Sequence, residues 1–285
     1  MNDSNINRAP QVIDVNDFCT LTKLHCEYEW LQYEPDALFE LWCLTDNEEQ
    51  KALIEFLIKN FLHINGKKLS EGCKTIAHHI ESNWKLTEGD TFLSATCDNS
   101  KPDGSQSLIQ NIKNKFSANW REFNFYNSLP VAVNNIPDNS NIVLIDDFIG
   151  TGNTMCKKVN YLISVIKKRK LQNVTIYVAS LAAMNFSKES LDALKIPYFS
   201  VHWLHKGISE CVEESLRANA IKEMQSLEAK LKAEIGKSKL PNFGYEKSES
   251  LFAIEAYNIP NNVFPIFWWS QLKDETYRKT IFRRV

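Results

Sequence analysis

The feature that most constrains the fold is a short stretch, residues 142–154, in which an apolar run leads directly into two carboxylates and a turn of small residues. Ile142 to Ile145 are apolar and mostly β-branched, which is typical of a short buried strand. Asp146 and Asp147 follow, then the turn 150–154, and then apolar residues at helical spacing. The order of strand, acid pair, small-residue turn and helix predicts a turn at the edge of an α/β sheet.

The turn is suited to binding phosphate through Gly150, Thr151, Gly152, Asn153 and Thr154. Glycine lets the backbone curl so that several N–H groups face one point, and the start of a helix adds partial positive charge there. The stretch has neither the Gly-Lys-Ser/Thr of a Walker A loop nor the glycine pattern of a dinucleotide site. A simple helix-capping turn would need one aspartate and not two.

The acid pair needs its own explanation, because carboxylates repel phosphate. Hydroxyl groups or a divalent cation beside the phosphate would suit Asp146 and Asp147. A sugar phosphate satisfies both halves of the stretch, with its phosphate in the turn and its vicinal ribose hydroxyls on the aspartates. We therefore expect these carboxylates to contact ribose directly or through Mg²⁺.

Strands and helices alternate from residue 91 to residue 204, which predicts a parallel α/β sheet with right-handed crossovers. The predicted strands are 91–96, 130–133, 142–145, 174–180 and 198–204. Ligands of such sheets lie beyond the carboxyl ends of the strands. Ser105, Asp146 and Asn185 each follow a predicted strand, so we expect them to share one site.

The sheet is expected to lie between regions of different character. Residues 1–85 show helical periodicity and are predicted to form an N-terminal helical region, with an α/β domain over 86–285. Within that domain, 208–236 is predicted as a charged amphipathic helix. The last segment, about 243–269, is rich in aromatic residues.

Composition excludes several classes of protein. A net charge of −2 argues against a general nucleic-acid binder, which would normally be basic. Seven cysteines without a Cys-x-x-Cys pair predict reduced thiols in a cytoplasmic protein. No apolar run is long enough for a membrane span. The oligomeric state stays open.

The pattern of Asp146, Asp147, Thr151, Gly152 and Thr154 resembles the ribose-5-phosphate motif of type I phosphoribosyltransferases. The resemblance implies a parallel sheet flanked by helices, a phosphoribosyl pyrophosphate or nucleotide ligand, and Mg²⁺ as cofactor. It gives Asp146 and Asp147 the catalytic role. It also implies a pyrophosphate loop after the first core strand, at Lys101, Gly104, Ser105 and Ser107, and an acceptor side near Asn185.

The C-terminal segment adds a second resemblance. One set of motifs is similar to the signature of phosphoribosyltransferase-like domains from bacterial conflict systems, which occur beside retron reverse transcriptases and other anti-phage modules. These motifs are Gly244-Tyr245, Ser248, Leu251, Pro260-Asn261-Asn262 and Pro265-x-x-Trp268-Trp269. This resemblance implies a toxic antiviral effector. Its implied partners are a reverse transcriptase with its RNA–DNA hybrid and a helix-turn-helix protein.

Three functions are compatible with these features. The first is an effector glycosyltransferase that acts on nucleotides or a ribosyl acceptor during phage defence. The second is a salvage phosphoribosyltransferase, which the long helical region and the aromatic C-terminus make less apt. The third is a catalytically silent nucleotide sensor or scaffold, since the loop around Lys101 lacks a clear basic pair for pyrophosphate.

Overall fold

A computed structural model describes residues 13–98 and 102–284. Within this part of the chain the helices are α1 (Val15–Glu27), α2 (Pro35–Trp42), α3 (Glu48–Lys59), α4 (Gly66–His78), α5 (Gly104–Ile112), α6 (Leu129–Asn135), α7 (Asn153–Arg169), α8 (Lys188–Asp192) and α9 (Glu214–Glu228). The strands are β1 (Leu62–Ile64), β2 (Thr91–Ala95), β3 (Phe125–Tyr126), β4 (Asn141–Ile149), β5 (Thr175–Met184), β6 (Tyr198–Leu204), β7 (Glu234–Ile235), β8 (Ser238–Lys239) and β9 (Phe252–Ile254).

Five strands form the central sheet, in the order β3-β2-β4-β5-β6, and all of them run parallel. The predicted α/β class, a parallel sheet flanked by helices, is confirmed. Strand β4 lies in the middle and pairs with β2 on one side and β5 on the other. Parallel sheets of this kind are covered on both faces, which explains why the strand residues 142–145 are all apolar and buried.

Alternating residues of β4 supply the two cores of the sheet. Val143 and Ile145 pack under α4 and α5, while Ile142 and Leu144 pack under α6 and α7. This division follows from the strand geometry, in which successive side chains point to opposite faces. The arrangement is helix layer, sheet, helix layer, and it fixes the direction in which the end of β4 points.

A third core lies beside the sheet. Helices α1, α2 and α3 pack there with α9 and with the aromatic C-terminal segment, including Phe264, Phe267 and Trp269. Strand β9 joins β1 in a small parallel pair. The cores therefore cross residue 85, the predicted domain boundary: α4 covers the sheet, and the end of the chain packs on the N-terminal helices.

Two predictions about local structure were wrong. Residues 130–133 were expected to form a strand but lie in α6, where Pro130 occupies the first turn. Proline is well tolerated there because the first N–H groups of a helix have no intrahelical partner. The strand at that place in the sheet is β3, only two residues long. The predicted helix 208–236 is shorter, since α9 ends at Glu228 and the hairpin β7–β8 follows.

None of the helices in the two described ranges is long and apolar enough to cross a membrane.

Candidate functional site

The strand order places a crevice at the carboxyl end of β4. Strand β3, which follows β2 in the chain, lies on one side of β2. The next strand, β4, lies on the opposite side, so the direction of winding changes between β2 and β4. Ligands of open α/β sheets bind at such a switch point. A cavity of about 320 Å³ lies there, which we call the β4 cleft; it is lined by Asp103, Asp146, Asp147, Phe148, Ile149, Gly150, Thr151, Gly152, Thr154, Met155, Lys158, Tyr245, Asn261 and Asn262.

Three carboxylates meet at one end of the cleft. Asp146 and Asp147 lie near the end of β4, and Asp103 precedes α5; one oxygen from each lies within 4.8 Å of the others. Burial raises the pKa of Asp146 to about 6, with Lys158 opposing the shift and Asp103 adding to it. Burial, followed by the charges of Asp146 and Asp103, raises the pKa of Asp147 well above its usual value. Burial and the neighbouring carboxylates therefore both favour the protonated, neutral form of these two acids when the cleft is empty.

The phosphate-suited turn lies at the start of α7. Gly152 has a φ of +83°, a left-handed conformation that favours glycine, and a Cβ there would stand 2.9 Å from Ser190 Cβ. Asn153 N donates to Thr151 Oγ1 at 3.4 Å, and the first backbone-to-backbone bond at the start of α7 runs from Cys156 N to the Gly152 carbonyl at 2.9 Å. The N–H groups of Thr154 and Met155 thus have no acceptor within the helix. They present donors and partial positive charge to the cleft.

Lys158 supplies a full positive charge on the same side. It lies one helical turn after Thr154, so both residues share the face of α7 that lines the cleft. Its ammonium group lowers the pKa of Asp146. An anion in the turn would therefore be flanked by the helix start and a lysine.

The C-terminal segment covers the turn. The side chain of Asn262 lies where a Cβ on Gly150 would stand, 2.5 Å away. Asn262 Nδ2 donates to Ser248 Oγ at 2.9 Å, and Tyr245 N donates to the Asn261 carbonyl at 2.8 Å. The cleft is thus closed by a segment that belongs to the third core and not to the sheet.

The predicted pyrophosphate loop is only partly at the cleft. Lys101 lies outside the described residues. Gly104 packs against the carboxylate of Asp147, and the Ser105 hydroxyl donates to Asp103 Oδ1 at 2.5 Å. Ser107 lies exposed within α5. The described member of this region that lines the cleft is Asp103, which also caps α5.

Two other predicted residues point elsewhere. Asn153 Nδ2 donates to Glu246 at 3.2 Å, so its side chain ties the start of α7 to the C-terminal segment. Asn185 begins a single helical turn directly after β5. It is not among the described residues that line the cleft. The structure therefore brings Asp146, Asp147 and the turn together but leaves Asn185 apart.

The acidic end of the cleft has the chemistry of a site for Mg²⁺. Carboxylate oxygens are the ligands that this cation prefers, and it retains waters or substrate oxygens for the rest of its shell. Burial first, and neighbouring carboxylates second, raise the pKa values of Asp146 and Asp147, and a divalent cation would favour their charged forms. Asp103, Asp146 and Asp147 are the residues that would bind it.

Five polar residues of the cleft were not assigned to the site from the sequence: Asp103, Lys158, Tyr245, Asn261 and Asn262. Helical spacing from Thr154 could have indicated Lys158, because four residues make about one turn. Asp103 stands in a Pro-Asp-Gly sequence that reads as an ordinary turn. The other three are distant in sequence, and the resemblance of the C-terminal segment drew attention to them without placing them here.

Comparisons with known proteins agree with this architecture. The family model PRTase-CE matches residues 39–284, which is most of the chain. No curated protein matches it.

Solved structures show a more distant likeness. Hypoxanthine-guanine phosphoribosyltransferase from Schistosoma mansoni in complex with IMP is 16% identical, with a TM-score of 0.34, and the match covers 50% of this chain and 68% of that one. Orotate phosphoribosyltransferase from Mycobacterium tuberculosis in complex with inorganic phosphate is 12% identical, with a TM-score of 0.32, covering 55% and 97%. A hypothetical protein from Neisseria gonorrhoeae with bound ppGpp is 12% identical, with a TM-score of 0.34, covering 56% and 96%.

Proposed function

The chain belongs to the PRTase-CE family, and from this premise we propose that the β4 cleft binds a ribose 5-phosphate group, carried by phosphoribosyl pyrophosphate or a related nucleotide. The single observation that supports this most is the joint lining of one cleft by an acid pair and a helix-start turn. Phosphate alone would not require carboxylates, and a metal alone would not require the turn. A sugar phosphate requires both.

Each part of the cleft has a separate task in this proposal. The N–H groups of Thr154 and Met155, the Thr151 hydroxyl and the Lys158 ammonium group bind the 5-phosphate. Asp146 and Asp147 orient the ribose hydroxyls and stabilise positive charge that develops on the ribose ring when its bond to the leaving group lengthens. Mg²⁺ on the three carboxylates would neutralise charge and orient a pyrophosphate group.

Substitution of Lys158 tests the phosphate assignment. We expect Lys158→Gln to weaken binding of ribose 5-phosphate, measured by titration calorimetry, about tenfold, because a charged donor is lost. Lys157→Gln is the matched control, since Lys157 is exposed and does not line the cleft. Equal affinities of the two variants for ribose 5-phosphate would contradict the assignment of its phosphate to this turn.

We propose that the bound ribosyl group is transferred or released, which makes the protein a phosphoribosyltransferase-like glycosyltransferase. A catalytically silent nucleotide sensor remains a second candidate, and one observation favours it: Asp103, and not a cation, is the described residue that the expected pyrophosphate loop contributes to the cleft. Release of pyrophosphate from phosphoribosyl pyrophosphate, assayed with Mg²⁺ and pooled nucleobases, supports transfer. Binding without release supports the sensor.

The biological role proposed here is antiviral defence. The resemblance of the C-terminal segment to conflict-system domains supports it, with a retron reverse transcriptase and its RNA–DNA hybrid, and a helix-turn-helix protein, as partners. Expression of the wild type without its partners should arrest growth and change nucleotide pools. The double variant Asp146→Asn with Asp147→Asn should not. Unchanged growth and pools in both strains, at equal protein levels, would instead favour a salvage enzyme.

A further inference from the structure

A second cavity adjoins the β4 cleft on its C-terminal side. It has a volume of about 380 Å³, and Tyr245 and Asn261 line both cavities. We call it the indole cavity, because Trp268 and Trp269 line it together with Lys239 and Arg284. The proposed function of the β4 cleft makes no use of it.

The two cavities differ in charge. Three aspartates line the β4 cleft, whereas the residues that the structure describes around the indole cavity include two cations and no carboxylate. Within the described ranges, neither Lys239 nor Arg284 forms an ion pair with a carboxylate: Lys239 is exposed on the β7–β8 hairpin, and Arg284 Nη1 donates to the Ile259 carbonyl. Their charges therefore remain available to an anion.

Aromatic surface accompanies this charge. Trp268 and Trp269 meet edge to face with ring centroids 5.4 Å apart, and Trp268 Nε1 is fixed to the Val263 carbonyl at 3.0 Å. The guanidinium carbon of Arg284 lies 5.7 Å from the centroid of the Trp268 ring. Both indole rings are largely buried, so the exposed planar group at this cavity is the guanidinium of Arg284, a surface on which aromatic rings stack.

The wall between the cavities is built with unusual backbone. Phe243, Gly244, Glu246, Lys247 and Glu249 all have positive φ values, between 51° and 76°. We call residues 243–249 the wall segment. Non-glycine residues adopt this conformation at a cost, so several in one short segment need strong support from their surroundings.

Two buried glutamates and a buried serine supply that support. Both carboxylate oxygens of Glu228 accept from Phe243 N at 3.0 Å. Glu249 Oε2 accepts from the N–H groups of Ile208 and Ser209 at 2.8 and 2.7 Å. Ser248 Oγ donates to the Tyr245 carbonyl at 2.6 Å. These contacts fix Tyr245 at the boundary of the two cavities.

The C-terminal motifs that the sequence singled out therefore converge on one place. Gly244-Tyr245 and Ser248 form the wall, Pro260-Asn261-Asn262 turns beside it, and Trp268-Trp269 forms the floor of the second cavity. An interior packing role alone would not require two cations at one cavity or a boundary residue shared with the β4 cleft.

We propose that the indole cavity binds an anionic aromatic molecule, of the chemical class of a nucleotide, beside the ribose phosphate. Its base packs against the exposed guanidinium group of Arg284, which lies over the Trp268 ring, and its phosphate pairs with Lys239 and Arg284. This inference rests on the proposed function for its neighbouring ligand. The same chemistry could come from a ribosyl acceptor or from a regulatory nucleotide, and the experiment distinguishes these sources.

Binding is measured by titration calorimetry on the full chain with ribose 5-phosphate and Mg²⁺ at saturation, so that the β4 cleft is filled. The probes are AMP, GMP, CMP and UMP, with adenosine and inorganic phosphate as the halves of the molecule. We expect at least one monophosphate to bind more than about tenfold tighter than either half. The double variant Lys239→Gln with Arg284→Gln should weaken it by about tenfold or more.

Matched controls come from the neighbouring residues. Lys237 and Arg283 are exposed and do not line the cavity, so Lys237→Gln with Arg283→Gln removes the same charge nearby and should leave the affinity within about twofold. If ribose 5-phosphate binds but none of the nucleotide monophosphates binds beside it, this inference is overturned and the proposed function is left intact. The inference is also overturned if a nucleotide binds but both double variants change its affinity equally. Failure of ribose 5-phosphate itself to bind overturns the proposed function.

Turnover separates the two sources. With phosphoribosyl pyrophosphate present, an acceptor is consumed as pyrophosphate appears, and the Lys239/Arg284 variant raises its KM. A regulatory nucleotide is recovered unchanged and alters the affinity of the β4 cleft, and the variant abolishes that effect. A bound nucleotide that is neither consumed nor alters the affinity of the β4 cleft would contradict both the acceptor and the regulatory role.

Discussion

Gly152 shows how one residue sets the geometry of the site. Its left-handed backbone turns the chain from β4 into α7, and Ser190 packs where a side chain would start. The N–H groups at the start of α7 face the cleft because of this turn. A residue with a Cβ would disturb both the backbone and the packing at once.

Gly152→Ala is therefore expected to reduce stability by about 1 to 2 kcal/mol, the cost of a left-handed L-residue, and to weaken ribose 5-phosphate binding further. Thermal unfolding and calorimetry measure the two effects. Gly89→Ala is the control, because a Cβ there meets nothing within 4 Å and its φ is not in the left-handed range. Wild-type behaviour of Gly152→Ala would show that the turn does not depend on this conformation.

Sequence reasoning was strongest at this scale for residues that act within one short stretch. Asp146, Asp147 and the turn could be predicted together because they occupy neighbouring positions, and the structure places them along one cleft. Lys158 and Asp103 were missed because a lysine on a helix and an aspartate in a turn are common on any surface. Asp103 joins the cleft because β2 and β4 lie side by side, whereas Lys158 joins it because it lies one helical turn after Thr154.

Helix α9 carries two buried glutamates whose surroundings shift their pKa values in opposite directions. Glu228, near its C-terminus, accepts from Phe243 of the wall segment, and burial raises its pKa to about 8, with Phe243 N opposing the shift. Glu223, one turn earlier, accepts from Asn47 and Gln50, which hold its pKa below the usual value. One helix therefore carries two buried acids with opposite preferences for the proton.

Glu228 should make stability depend on pH. Because its pKa is higher in the folded chain than in the unfolded chain, its favourable contribution is complete below about pH 4.5 and is lost as the pH rises through about 8. Glu228→Gln removes this loss. We expect it to raise the melting temperature by several degrees at pH 8.5, corresponding to on the order of 3 kcal/mol, and to have little effect at pH 5.

Glu223→Gln is the matched comparison on the same helix. Its pKa is lowered on folding, so its contribution is present above about pH 4.5 and is lost only as the pH falls through the folded value. The amide should therefore lower the melting temperature at pH 7. Shifts of the same sign for both variants at pH 8.5 would contradict the assignment of the two buried acids.

The candidate site lies at the carboxyl edge of the central sheet, but the C-terminal segment that covers it packs in the third core. The turn belongs to the β4–α7 unit, whereas Tyr245, Asn261 and Asn262 stand on the core shared by α1, α2, α3 and α9. Periodicity predicted the helices and the parallel sheet. It could not predict that the two ends of the chain pack together, because that depends on contacts between residues about 200 positions apart.

Short strands and short helices were also difficult to predict from the sequence. Strand β3 has two residues and β9 has three, too few to show an alternating pattern, and the proline of α6 made a short helix resemble a strand. The long strands β4 and β5 were recognised because they are buried on both faces and read as continuous apolar runs.

Leu57 tests whether the third core supports the site. It is fully buried in α3, and Leu57→Ala should cost about 2 to 5 kcal/mol through lost contacts and a cavity. Hydrogen exchange should increase in α9 and in the wall segment as well as in α3. Leu216→Ala is the control, since Leu216 is 58% exposed on α9. An increase limited to α1, α2 and α3 would show that the cover is independent of this core.

The most direct test of the central claim is Mg²⁺-dependent binding of phosphoribosyl pyrophosphate to the wild type and to Asp146→Asn with Asp147→Asn, measured by calorimetry at pH 7.5. Folding raises the pKa values of both acids, so the folded state is stabilised when they are protonated. For Asp146 this stabilisation is lost as the pH rises through about 6. The double variant, which carries neutral amides, should therefore melt at or above the wild-type temperature in the absence of metal. We predict tight binding to the wild type with Mg²⁺, and at least about a hundredfold weaker binding to the folded variant. Equal affinity of the two proteins would contradict a ribose-phosphate site at the end of β4.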